Sequence, residues 1–262
     1  MPELKTEAEH REYLEQMAAL SFFFAKKWLA AEFPAERIST LLLQHTPLLH
    51  YLNFTEKEWT SHPDCLRILQ ESDELQSLSP EDFEYTMGRS VSSLAAEKAH
   101  LDYIKSDGFQ ITSEQQCGTL RYERSSSKYP AGYITFHVFN AVAPHSVFDE
   151  PEYLAHCFEV VMHEAELRFH ADTLYTYSWL NDCRKWLHFF PQEWQDNLSP
   201  RQAKRIPGWD SGDWGQLITR RGTMNMKAAA YLREHGCLPY FPRRSHCSFV
   251  NMHNFLKEKY FS

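Results

Sequence analysis

From Thr6 to Gly108 apolar side chains recur every three or four residues, the period that lays them along one side of an α-helix. Start signals punctuate the stretch. Thr6 with Glu9 makes a capping box, in which a hydroxyl and a carboxylate satisfy free backbone N–H groups, ahead of a helix burying Leu14, Met17, Phe24 and Trp28. Thr55 with Glu58 predicts a second start. Ser79-Pro80-Glu81-Asp82 predicts a third, with a helix that runs to Lys105 and stops at Asp107-Gly108.

Beyond Gly108 the period shortens. CGTLRYER (117–124) and GYITFHVFN (132–140) alternate or run apolar over strand lengths, and SSSKYPAG between them is a turn by composition, so the pair predicts a hairpin. Pro151-Glu152 opens an amphipathic helix carrying Leu154, Phe158, Val161, Met162, Ala165 and Phe169, and ADTLYTYSWLN (171–181) follows as a strand. Asp182 is placed to cap a short helix through Trp186 and Phe189 that Phe190-Pro191 ends, and the aperiodic stretch 197–213 predicts a surface loop. WGQLIT (214–219) then predicts a strand, Thr223 an N-cap for a helix over Met224–His235 closed by Gly236, and Pro239–Pro242 an extended piece before a helical tail. The resulting expectation is an α+β or α/β protein, with a helical region over 1–108 packed on a mixed-sheet domain over 109–262.

With 43% hydrophobic and 15% aromatic residues the 262-residue chain has ample material for a core. Its 27 basic and 35 acidic residues give a net charge of −8 with no Lys/Arg run, which argues against nucleic acid as a partner. The charged N-terminus MPELKTEAEHREYLEQ is unlike a signal peptide and no apolar run is long enough to span a bilayer, so a cytoplasmic protein without a membrane partner is expected. Six cysteines without a C-x-x-C pair favour free thiols over a disulfide framework or a zinc site. No G-x-S-x-G elbow, P-loop, dinucleotide-binding glycine pattern or His-Glu-x-x-His is present.

A strand pair, a helix, a strand and a further helix follow one another in the order of the GNAT acyltransferase fold. The segments LRYE, GYITFHVFN, TYSWLN and FFPQEW, with RRGTMNMKAAAYLREHG, resemble the GNAT-like C-terminal acyltransferase domains of bacterial proteins over roughly residues 115–245. In that fold two neighbouring parallel strands splay apart to admit an acyl-pantetheine arm. The resemblance therefore implies transfer of an acyl group from a thioester to the amine of a small-molecule substrate, with acyl-CoA as co-substrate or an acyl-carrier protein as donor. No metal is expected, since the cysteines and histidines lack ligand spacing. The chain departs from the family at the loop AVAPHSVFDEPE, which lacks the superfamily's Gln/Arg-x-x-Gly-x-Gly/Ala signature, and at His137-Val138-Phe139, where only the histidine of His-Ile-Pro carries over.

Strand alternation sets His137 and Phe139 on one face and Phe136, Val138 and Asn140 on the other. His137 is then either a general base near neutral pH or a core histidine bonded to a neighbouring strand. Under the resemblance, Ser178 and Asn181 orient the thioester with His137 as the catalytic set, Asn140 touches the donor, and Phe139, Tyr177 and Trp179 wall the substrate. The alternative gives Asn181-Asp182 a turn and cap role. Arg220, Arg221, Gly222 and Thr223 form either an anion site for the donor's phosphates at a helix start or a solvated basic turn. His170-x-Asp172 matches part of an iron facial triad, which His235 or His246 with Arg243 would complete as a 2-oxoglutarate oxygenase. A non-catalytic small-molecule-binding protein on the same fold is the remaining alternative.

Overall fold

The computed structural model describes residues 5–105, 116–124, 130–202, 206–207 and 211–261. The first capping box forms as expected: the Glu9 N–H donates to Thr6 Oγ1 at 3.1 Å, and the Thr6 N–H to Glu9 Oε2 at 2.8 Å. It opens α1 (Glu7–Phe24), which runs through a π-helical turn (Ala25–Leu29) into α2 (Ala30–Glu32). The helices α3 (Ile38–His45), α4 (Leu48–Tyr51), α5 (Pro63–Glu74), α6 (Pro80–Ser90) and α7 (Ser92–Lys105) follow.

Two local expectations change here. Glu58 does accept from the Thr55 N–H (2.8 Å) and hydroxyl (2.7 Å), yet the chain only turns until His62, whose Nδ1 caps α5. Pro63 decides this, because its fixed φ and missing N–H suit the first helical position. The helix expected from Pro80 to Lys105 is interrupted at buried Val91, where the Ser90 hydroxyl donates back to the Met87 carbonyl at 3.1 Å and competes with the helical ladder. The expected stop at Asp107-Gly108 lies outside the described residues.

The second half supplies strands β1 (Gln116–Cys117), β2 (Leu120–Arg124) and β3 (Tyr133–Val138), helix α8 (Pro151–Phe169) and strand β4 (Thr173–Ser178). Short helices α9 (Arg184–Leu187), α10 (Gln192–Asp196) and α11 (Ser211–Trp214) come next, then α12 (Met226–His235), β5 (Arg243–Ser248) and α13 (Phe249–Tyr260). The chain divides into two compact units, Met1–Gly108 with Lys204–Pro239, and Phe109–Ala203 with Tyr240–Ser262. Residues 204–239, expected with the sheet domain, thus belong to the helical unit, whose core takes in Trp214, Leu217, Met224, Ala228, Ala229 and Leu232 beside Leu14, Met17 and Phe24.

WGQLIT is not a strand. Trp214 and Leu217, both fully buried, stand three residues apart, Trp214 ending α11 and Leu217 closing a 3-10 turn (Gly215–Leu217), and only Ile218 bridges to Met224. Asn225, not Thr223, caps α12, accepting from the Ala228 N–H at 3.4 Å. Gly236 ends that helix at φ 67°, and a Cβ there would come within 2.5 Å of the Trp28 ring.

In the other unit five strands form one mixed sheet in the order β1-β2-β3-β4-β5. The expected hairpin is β2 antiparallel to β3, and β4 returns through α8 to lie parallel to β3. The last strand is β5, which starts at Arg243 directly after the extended piece expected at Pro239–Pro242, and it pairs antiparallel with β4 over the whole length of both. One face of the sheet carries Leu120, Tyr122, Ile134, Phe136, Leu174 and Cys247, which share a core with α8, Trp186, Phe190 and Trp194. No described helix is long and apolar enough to cross a membrane.

Candidate functional site

The parallel pair β3/β4 is where the sheet is least complete. Its register holds for Tyr133↔Thr173, Ile134↔Leu174 and Thr135↔Tyr175, and ends there although each strand runs on for three more residues. Beyond that point the Thr176 hydroxyl donates to the Phe136 carbonyl at 3.1 Å, a side-chain link where a backbone rung would otherwise stand. The Phe139 N–H donates to the Thr119 carbonyl, so its backbone faces β2, and alternation turns the backbone of Val138 toward the gap.

Registers across the sheet fix which side chains share the face away from the core. They are Arg121 and Glu123 on β2, Tyr133, Thr135 and His137 on β3, Tyr175 and Tyr177 on β4, and Arg244 and His246 on β5. His137 is neither buried nor bonded to a strand backbone: its imidazole is exposed, and Nε2 lies 3.1 Å from Glu123 Oε1. Glu123 stands opposite Thr135, two residues along β3 and on the same face, so the pairing follows from the hairpin register. Next to it, Arg244 covers the Tyr177 ring 5.6 Å from its centroid, and the Tyr133 ring contacts those of Tyr175 and His246 at 6.3 and 5.6 Å.

The expected catalytic set does not converge. Ser178 occupies the core-facing register position, and its Oγ accepts the Leu180 N–H at 3.2 Å to cap a 3-10 turn. Asn181 is fully buried. Its amide donates to the carbonyls of Thr176 (3.3 Å) and Arg243 (2.8 Å), and its oxygen accepts the indole N–H of Trp186 (3.1 Å) and of Trp194 (3.2 Å). Two donors and two acceptor lone pairs exhaust a carboxamide, so the role expected for Asn181 on a thioester is corrected to that of an internal fastener. Asp182 does not cap a helix either. It accepts from Arg201 (2.7 Å) and from the Phe241 N–H (3.1 Å).

Asn140 shapes the loop after β3, donating to the His145 carbonyl at 2.8 Å and accepting from the Val142 N–H at 3.3 Å. Trp179 stacks on Tyr240, with ring centroids 6.1 Å apart. Arg220, Arg221, Gly222 and Thr223 belong to the helical unit. They lie in a tight turn, closed by Gly222 N–H to Thr219 O (2.9 Å) and Thr219 N–H to Thr223 O (2.8 Å), with Gly222 at φ 79° and Arg221 3.7 Å from Glu9. That turn precedes α12 rather than forming its N-terminus, so the expected anion site at a helix start is not built there. His170 is the left-handed cap of α8 (φ 53°), and Asp172 accepts from the Thr173 hydroxyl at 2.7 Å. Each thus fills a place at the helix-to-strand corner, and no group of three or more His, Cys, Asp or Glu among the described residues is arranged to hold a metal.

Sequence reasoning passed over two further clusters. In the helical unit His10 Nε2 lies 2.9 Å from Asp102, which also takes a short hydrogen bond from Lys98. Burial lowers the His10 pKa, and the facing Asp102 carboxylate only partly offsets this. In the sheet unit Cys117, Tyr153 and Cys157 meet beside Gly118. The only sequence signal for either is helical spacing, such as Tyr153 and Cys157 four residues apart on α8. Compared with protein-family models, with curated proteins and with solved structures, the chain gives no match.

Proposed function

We propose that this protein is a GNAT-like acyltransferase that moves an acyl group from a pantetheine thioester to the amine of a small molecule at the β3/β4 gap. The single observation that carries the reading is the parallel pair that loses its ladder after three residue pairs while both strands continue. Backbone groups facing such a gap have the spacing to hydrogen-bond the amides of an extended arm, as an added strand would.

The base in this reading is His137. Glu123 fixes the imidazole through Nε2, which leaves Nδ1 to take the proton as the amine attacks the thioester carbonyl. The C–N bond forms, the C–S bond breaks, and the thiolate leaves to be protonated. Tyr177 and Arg244, on the same face of the sheet, line the approach. The loop before α8 has no glycine and brings Asp149, Glu150 and Glu152 to that helix's start, where acidic side chains occupy the region that attracts an anion. The donor is therefore held by its pantetheine arm more than by a diphosphate, which favours an acyl-carrier protein over free acyl-CoA.

Thermal unfolding with acetyl-pantetheine, acetyl-CoA or acylated carrier protein tests this. A donor at about 100 times its dissociation constant adds about 2.7 kcal/mol to stability and raises the melting temperature. Stabilisation by a pantetheine donor that Thr176→Val weakens supports the reading. No shift with any of the three overturns it, in favour of a binding protein for another small molecule.

A further inference from the structure

We propose that Cys117 and Cys157 form a peroxide-reactive thiol pair, in which Cys157 is the attacking sulfur and Cys117 the resolving one. The site is independent of the acyl-transfer reading. All six cysteines are free thiols, and these two come from elements remote in the sequence, β1 and α8. Beside the Cys157 sulfur stand the Cys117 thiol, the Thr119 backbone and the Tyr153 side chain. The chain lies directly on this cluster, since a Cβ at Gly118 would stand 2.7 Å from Cys157 Sγ and 2.2 Å from Tyr153 Oη. Gly118 is therefore the residue that lets the backbone approach, and its φ of 51° suits glycine as well.

A sulfur with hydrogen-bond donors around it is stabilised as the thiolate, the reactive form. The Cys117 hydrogen bond is the largest influence on Cys157 and, with those from Thr119 and Tyr153, outweighs burial and lowers its pKa to about 7. Donating that hydrogen bond, together with its own burial, keeps Cys117 protonated with a raised pKa. Two other buried cysteines behave oppositely: burial pushes the Cys65 thiol up to about 12 and also raises that of Cys247. Cys157 is itself covered, but Cys117 beside it is only half-buried, so a molecule as small as a hydroperoxide has a short path to the pair.

The chemistry balances with hydrogen peroxide as oxidant. The Cys157 thiolate attacks one peroxide oxygen, the O–O bond breaks, and the departing hydroxide takes a proton to leave as water and a sulfenic acid on Cys157. The Cys117 sulfur then attacks Cys157, the S–O bond breaks, and a second water leaves with the Cys117 proton. Two thiols are oxidised to one disulfide and one peroxide is reduced to two waters.

The test is to treat the full chain with hydrogen peroxide, alkylate the remaining thiols, and map the products by peptide mass spectrometry. Expected is loss of two hydrogens, with Cys117 joined to Cys157, at a rate about tenfold above that of any oxidation at Cys65 or Cys247, because the larger thiolate fraction outweighs its lower intrinsic nucleophilicity. In Cys117→Ser, Cys157 should stop at a sulfenic acid that dimedone traps. The wild-type measurement needs no variant to fold. Recovery of Cys117 and Cys157 as alkylated thiols while other cysteines are oxidised, or pairing of either with a different cysteine, would overturn the proposal.

Discussion

Replacing Asn181 with alanine should destabilise the sheet unit by about 3–5 kcal/mol, and the number follows from what its side chain holds. Four buried groups lose their partner together: the carbonyls of Thr176 and Arg243 and the indole N–H groups of Trp186 and Trp194. A buried polar group left unsatisfied costs about 1–3 kcal/mol, so four independent losses would total about 4–12 kcal/mol. Water admitted into the space of the missing amide restores some of these bonds, which brings the expectation toward the lower end. That is still a large share of the roughly 5–15 kcal/mol that stabilises a typical domain. Asn181→Asp should be nearly as harmful at neutral pH, because its second oxygen would face the two carbonyls. The measurement is urea unfolding followed by near-ultraviolet circular dichroism, together with hydrogen exchange at the Trp186 and Trp194 indoles, which reports on this unit alone. Fast indole exchange and an early transition in Asn181→Ala are expected. A loss below about 1 kcal/mol with both indoles still protected would refute the reasoning and return Asn181 to the candidates for a chemical role.

Three other outcomes follow from the same physics. Gly236→Ala should cost about 2 kcal/mol or more in melting experiments, because it combines a left-handed backbone with a clash against the rigid Trp28 ring, whereas an αL residue alone costs about 1–2 kcal/mol. Burial depresses the His10 pKa in the presence of Asp102, Lys5 and Lys98, so the folded helical unit binds fewer protons than the unfolded chain just below the usual histidine range. Its contribution is complete above about pH 6.5 and is lost as pH falls through the folded pKa, so a pH series of melting temperatures should show a slope there that His10→Gln flattens. If the proposed acyl transfer is assayed, His137→Ala should lower kcat by about 100- to 10,000-fold with little change in donor affinity, and Glu123→Gln should lower it less. An unchanged kcat in His137→Ala would remove His137 from the chemistry.

Features governed by near neighbours in the chain were legible in the sequence. Thr6 and Glu9 satisfy each other within one helical turn, Pro151 opens α8, Gly236 closes α12, and alternation along 132–138 separates Phe136 from His137. Each depends on backbone geometry over a few residues, which residue types encode directly. Local rules failed where two such signals competed. His62-Pro63 displaced Thr55-Glu58 as a helix start, and the buried helical spacing of Trp214 and Leu217 overrode their resemblance to a strand. The candidate site depended on the fold alone. Nothing near Asn181 in the chain shows that its amide would reach the Arg243 carbonyl, that Glu123 would meet His137 across a hairpin, or that Cys117 would settle on Cys157. Those meetings are set by strand register and by which helix face a sheet covers, quantities that belong to the whole packed chain, because each hydrogen bond forms only after distant segments have buried their apolar faces together.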